Sequence, residues 1–390
     1  MFVFRKEDLP ADPGFPAELD KLGYFITSED KIRKISDPEQ EFQFKINRNP
    51  RWNDLQREAM NECIRKIVLS RLRNLGLVTL RLPLISGPSK PHVPIMVSRN
   101  LTTASRIILV FGEPVQDLGI WAYRTVGTEG INTGSAVDFA RTILNPDESS
   151  TTTNGTNGNS TNPLPSQKGG VALVLANTGQ LVFHCESGRA MTLTSWSSLP
   201  RVSAVDPSPV MTDRNRIPGN GNWQEHVNSV FDGIFAARGQ LVGHGAKIDV
   251  IGSAEGGLGA IRYLAKNWTS WRQYISAICL TNPLHKRDID LFKLDDEEQS
   301  PGSFAAFMAS RCRAYLLSHH PLGFPLNDEK VHGCNCYSSG EELNGECVMP
   351  KAWPSMLQWL NLAYDHPEYC EKQLVVMHVG AGAPNGVDGD

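Results

Sequence analysis

Residues 248–257, IDVIGSAEGG, run from an apolar stretch into a glycine-rich turn, and LGAIRYLAKNW after them reads as a helix. A strand that turns this sharply leaves little room for side chains. Gly252, Gly256 and Gly257 supply the clearance where helix and strand backbones would meet. The frame G-x-S-x-G, with a strained serine at its apex, is the layout of a nucleophile elbow. Here the frame reads Gly252, Ser253, Ala254, Glu255, Gly256, so alanine holds the apex. A methyl group cannot attack a carbonyl. Either the scaffold has lost its chemistry, or a neighbour such as Ser253 supplies it.

Strand and helix signals alternate on both sides of this turn. VTLRLPL (78–84), VPIMVS (93–98) and RIILVFG (106–112) read as strands, the last so continuously apolar that both its faces must be buried. GSAVDFARTIL (134–144) reads as a helix capped by Ser135, and VALVLAN (171–177) and LVFH (181–184) as strands. Then follow a helix over 222–239, the elbow, strand 274–280, helix 303–312, strand 313–318, helix 353–365 and strand 374–379. This alternation predicts an α/β fold of the α/β-hydrolase-like kind, a doubly wound, mostly parallel sheet with helices on both faces.

Residues 1–50 are expected to form an N-terminal extension packed on the main domain, with LGYFI (22–26) and EFQFKI (41–46) as two short strands. Leu55, Met60, Ile64, Val68, Leu72 and Leu75 recur at helical spacing, with Asn53 as N-cap and Gly76 as stop. A single domain over 51–380 is expected, interrupted by a disordered Ser/Thr/Asn/Gly insertion at 148–170 and followed by a disordered tail at 381–390.

The net charge of −4 argues against a broad electrostatic grip on nucleic acid. No apolar run approaches the length of a membrane span, and MFVFRKEDLP is too short for a signal-peptide core. A cytosolic or nuclear protein is expected, its eight cysteines reduced. Arg48, Arg51, Arg65, Arg71 and Arg73 could contact RNA, but a solvated helix face is the plainer reading.

A working elbow also needs an oxyanion loop, an acid and a histidine. The loop after 106–111 reads Gly112, Glu113, Pro114. A carboxylate there opposes developing negative charge, and proline removes a backbone donor. His378 is the best-placed base, with His285, His319, His320, His332 and His366 as other candidates. Glu255 is expected to face solvent or a salt bridge. The segment after strand 313–318, Ser318-His319-His320-Pro321, offers no carboxylate. His332, Cys334, Cys336 and Cys347 invite a zinc reading, but H-x-C-x-C is not a common ligand spacing. Neither metal nor cofactor is expected.

Several blocks, in order, are LGYFI…EFQFKINRN…QREAMNECI, VFGEPVQDLGIWAYR…GINTGSAVDFA, IDVIGSAEGG and PLGFPL…GCNCYSSGEELNGECVMPKAW. They resemble the fungal argonaute-binding-protein-two (Arb-two) domain family. That family is related to animal cotranscriptional regulators and to the tail domain of class II histone deacetylases. The resemblance covers about residues 15–370 without the insertion. It implies a subunit of an argonaute-binding, siRNA-chaperone complex in RNA-interference-directed heterochromatin formation, in nucleus and cytoplasm, with RNA association indirect and no membrane contact. Some relatives keep serine at the elbow and histidine in the SSGEELNGE block; this chain has Ala254 and, near Asn344, no histidine. A pseudoenzyme is therefore expected. The competing expectation is a serine-type esterase using Ser253, or a hydrolase using a reactive cysteine.

Overall fold

The computed structural model describes residues 11–145, 170–203, 205–291, 300, 302–372 and 374. Strands β1 (Tyr24–Ile26) and β2 (Ile32–Lys34) form an antiparallel hairpin. The main-sheet strands are β3 (Leu77–Leu82), β4 (Val93–Ser98), β5 (Arg106–Phe111) and β6 (Val171–Leu175). A second hairpin, β7 (Val182–His184) and β8 (Arg189–Met191), lies outside that sheet. The main sheet continues with β9 (Lys247–Ser253), β10 (Ile275–Thr281), β11 (Cys312–Leu316), β12 (Pro325–Leu326) and β13 (Asn335–Ser338).

The sheet order is β12-β13-β11-β10-β9-β5-β6-β4-β3. From β13 through β6 every pairing is parallel, while β4, β3 and β12 pair antiparallel with their neighbours. All six residues of β5 are buried, as a central strand flanked on both sides requires. Helices Trp223–Val230, Ala254–Trp271 and Phe304–Arg311 cover one face, where Phe231 stacks on Tyr263 with centroids 4.5 Å apart. Helices Pro50–Asn74, Ala136–Leu144 and Val348–Asp365 cover the other through Met60, Val68, Phe139 and Met356. The fold is thus the expected α/β-hydrolase-like doubly wound sheet.

One ion pair crosses the core. Arg106 Nε donates to Asp249 Oδ2 at 2.6 Å, and both residues are fully buried. Arg106 also donates to Asn361 Oδ1 at 2.7 Å and lies over the Tyr364 ring.

The differences from the sequence reading have physical causes. EFQFKI forms no strand, because Ile32–Lys34 takes the place beside β1; Phe42 instead packs edge-on against Tyr24. The first helix starts at Pro50 with Asn49 as N-cap, while Asn53 accepts from the amides of Ile46 and Asn47 and pins the preceding loop. The helix expected over 222–239 is regular only to Val230, then widens into a π turn over Phe231–Phe235. The last helix begins at Val348, ahead of the expected 353. The insertion at 148–170, except Gly170, and the expected tail at 381–390 lie outside the described residues, as does the 374–379 strand beyond Leu374. Among the described residues, no helix is long and apolar enough to cross a membrane.

Candidate functional site

In a doubly wound sheet, ligands meet the carboxyl ends of strands where successive strands depart in opposite directions. Here that point lies between β5 and β9: the chain leaves β5 toward β6 on one side and returns to β9 on the other. Phe111 and Gly252 are register partners at this end, so the loop after β5 and the elbow after β9 face one another.

The glycine frame does what its spacing predicts. A Cβ on Gly256 would lie 2.3 Å from the carbonyl oxygen of Gly112, and one on Gly252 would lie 2.4 Å from Gly257 Cα. These contacts hold the helix N-terminus against the strand ends. Ala254 accordingly keeps φ +45°, a left-handed conformation that costs a non-glycine residue of order 1 kcal/mol. The elbow is built and strained, but its apex carries only a methyl group.

Ser253, one residue ahead of the apex, is turned to the neighbouring strand. It is buried, and the Thr281 hydroxyl on the neighbouring strand donates to its Oγ at 2.8 Å. The histidines are engaged elsewhere. His285 and His332 donate ring N–H groups to each other's carbonyl oxygens at 2.7 and 2.9 Å. The His319 and His320 rings lie tilted with centroids 4.1 Å apart, His320 stacks on Phe324, and His366 lies beside Glu368. His378 lies outside the described residues.

The loops that would carry acid and base are nonetheless in place. Ser318 N–H after β11 donates to the Glu341 carbonyl at 2.7 Å, tying that loop to the one after β13. In the SSGEELNGE block the Glu341 carboxylate accepts from the amides of Leu343 and Asn344 and from Lys351 Nζ. These donors outweigh its partial burial and hold its carboxyl at about 2, so it shapes the loop as a permanent anion. Gly345 of the same loop abuts Asn282 at the end of β10, where a Cβ would lie 2.9 Å from Asn282 Nδ2.

Charge gathers where an oxyanion would have to form. Burial raises Glu113 to about 7, with Glu346 and Glu255 as further like-charge causes. Glu255 is partly exposed beside these carboxylates and has no salt bridge among the described residues, so of the two expected roles only contact with solvent remains. Because the folded protein holds the Glu113 proton more tightly than the unfolded chain does, stability falls as pH rises from the ordinary carboxyl value to about 7. Glu113→Gln is expected to be more stable than the parent by about 2 kcal/mol above that pH, with the difference vanishing below about pH 4. Urea unfolding at several pH values checks this; a pH-independent difference would contradict it.

Behind the oxyanion loop lies a polar network that the sequence did not advertise. Asp117 accepts from Arg65 at 3.0 Å, from the Tyr123 hydroxyl at 2.6 Å and from Gln180 Nε2 at 2.6 Å. Asn177 Nδ2 donates to Gln180 Oε1, and the Asn177 amide donates to His226 Nε2 at 3.0 Å. Burial pushes His226 down to about 3, so it stays neutral, with Nδ1–H directed at Asn220 Oδ1. This network fixes the ends of β5 and β6. Its members are too far apart in the chain for any spacing motif to reveal them.

The other candidate sites are structural. Arg51 binds Asp12 and the carbonyls of Ser197 and Leu199, Arg65 binds Asp117 and Glu58, and Arg71 binds Asp30. These three arginines tie elements together and form no solvated or RNA-facing stripe; Arg48 and Arg73 remain exposed. Cys334 and Cys336 are buried beside and within β13, and the Thr125 hydroxyl donates to Cys347 Sγ at 3.4 Å. Among the described residues no three His, Cys, Asp or Glu side chains are arranged to hold a metal ion.

Residues 15–322 match the Arb2 domain. The chain belongs to the Arb2 domain family. Among relatives of this Arb2 chain, the human cotranscriptional regulator ARB2A is 27% identical over 159 residues, covering 37% of this chain and 38% of the human protein. The Gallus gallus ARB2A homolog is 20% identical over 392 residues, covering 93% of this chain and 84% of its own length. Of solved structures, a Saccharomyces cerevisiae histone deacetylase aligns at TM-score 0.41 and 14% identity, covering 77% of this chain and 96% of its own. The yeast peroxisomal α/β-hydrolase Lpx1 aligns at TM-score 0.34 and 11% identity, over 78% of this chain and 89% of its own.

Proposed function

We propose that this Arb2 protein is a non-catalytic, α/β-hydrolase-like regulator that acts by holding protein partners. The observation that carries the reading is the elbow. Its glycine contacts and left-handed apex persist while Ala254 occupies the nucleophile position and Glu113 stands in the oxyanion loop. The relatives named cotranscriptional regulators support a regulatory role and a nuclear location. In its finer form the reading makes argonaute and other silencing proteins the partners, in RNA-interference-directed heterochromatin formation, with part of the protein cytoplasmic and RNA contacted only through those partners.

Three experiments test the reading. Ala254→Ser restores a hydroxyl but neither a base nor an oxyanion hole, so its rate on p-nitrophenyl acetate is expected to equal the parent's. A gain of about 10²-fold or more would mean that a working base is already in place. Purification of the tagged protein from its own cells, with and without RNase, is expected to recover argonaute in both cases. Loss of argonaute with RNase would replace the protein-contact reading by an RNA bridge. A fluorophosphonate label that disappears in Ser253→Ala would restore the esterase alternative.

A further inference from the structure

We propose that the mouth of the elbow is a docking site for a cationic, apolar segment of a partner protein. An arginine or lysine of that segment enters among Glu113, Glu255 and Glu346, while its apolar side chains cover Val115, Leu284 and Leu343. This deepens, and rests on, the non-catalytic partner-holding reading above.

The chain brings these six residues to one end of the sheet on four separate segments. Gly256 against Gly112 joins the elbow to the β5 loop; the Thr281–Ser253 hydrogen bond joins β10 to β9; Gly345 against Asn282 brings in the loop after β13. Val115 follows Gly112 by three residues, Leu284 follows Thr281 by three, and Leu343 and Glu346 flank Gly345. Val115 is 65% exposed, Leu284 43% and Leu343 82%, the last among the most exposed large apolar side chains described. Apolar side chains exposed at the carboxyl end of the sheet, on the same loops as unpaired carboxylates, mark an interaction surface.

Charge selects the occupant. The carboxylates of Glu113 and Glu255 have no hydrogen-bond or ion-pair partner among the described residues, and that of Glu346 has only the largely exposed Arg124 at 3.3 Å. Once Glu113 is ionised, above about pH 7, the site therefore holds an excess of negative charge that this chain leaves uncompensated. Nucleic acid and anionic substrates are repelled from such a mouth. A bare metal ion is not accommodated by these groups. A cation on a long apolar stem fits both features, because its stem lies along the leucines while its head reaches the carboxylates.

The test is fluorescence anisotropy on the full-length chain. The probe is a fluorescein-labelled peptide of alternating leucine and arginine, with its leucine–glutamate counterpart as control. The arginine peptide is expected to bind and the glutamate peptide not to bind. Binding is expected to weaken roughly tenfold in Glu113→Gln/Glu255→Gln and to weaken in Leu343→Ser. The double variant loses like-charge repulsion, and its unfolding midpoint, measured alongside, is expected not to fall. Equal binding of both peptides, or unchanged binding in a folded double variant, would overturn the docking site. Argonaute capture without peptide binding would overturn the docking site while the regulator reading stands. Carboxylate-dependent peptide binding without argonaute capture would support the docking site and remove argonaute as the partner.

Discussion

Asp249→Ala is expected to cost about 3–5 kcal/mol and to lower the thermal unfolding midpoint by roughly 10 °C. Asp249 lies on β9 and Arg106 starts β5, so the pair spans the two strands that frame the candidate site. Burial pushes the Asp249 carboxyl up, and the Arg106 guanidinium beside it pulls the other way. Removing the aspartate leaves a guanidinium in the core with only Asn361 and the Tyr364 ring for company. The loss comes from the charge left behind rather than from the net value of the pair. Hence Arg106→Met/Asp249→Leu, which removes both charges, is expected to recover most of the stability. Differential scanning calorimetry on the single and double variants separates these effects. A double variant as unstable as Asp249→Ala would show that the pair's geometry itself supports the sheet.

Gly256→Ala is expected to destabilise by about 3 kcal/mol, at the upper end for an overpacked site. The added methyl would meet the Gly112 and Phe111 carbonyl oxygens at 2.3 and 3.0 Å, and those are backbone atoms that no rotamer change moves. Relief requires the elbow helix to lift from the end of β5, which also displaces Glu113. Chemical denaturation measures the loss. Amide exchange is expected to show it concentrated in residues 111–122 and 252–260, and a uniform change over the sheet would contradict the local origin. Gly233, where an added Cβ meets nothing within 4 Å, provides a control substitution to alanine with a small effect.

Much of the fold was legible because burial on two faces and glycine spacing are local signals. RIILVF can be little but a central strand, and three glycines around an apolar strand end specify a tight strand–helix turn. Two strands near the end were not legible. β12 has two residues and β13 four, and Asn335 and Ser338 are polar residues buried in β13, so no alternation marks it. Cys336 within it and Cys334 just before it drew attention as metal ligands, whereas they fill space in the core. Conversely, EFQFKI alternates like a strand yet has no partner edge, and alternation alone cannot supply one. The elbow's empty apex could be read directly. The gathering of Glu113, Glu255 and Glu346 could not, since the sheet alone brings such distant positions together.

The first helix carries a consequence for where the folding unit begins. Along its length, Arg51 reaches Asp12 and the carbonyls of residues 197 and 199, Arg65 reaches Asp117, and Arg71 reaches Asp30 and Asn132. The helix thus works as a spine to which the leading segment, the β5 loop and the stretch after β8 are each fastened by a guanidinium. A chain shortened to begin at the helix would strip Arg51 and Arg71 of their carboxylates, and Arg51 is itself nearly buried. The segment ahead of the helix thus supplies two of the spine's six fastening partners, Asp12 and Asp30, and no cut between it and the helix separates an appendage from a finished body.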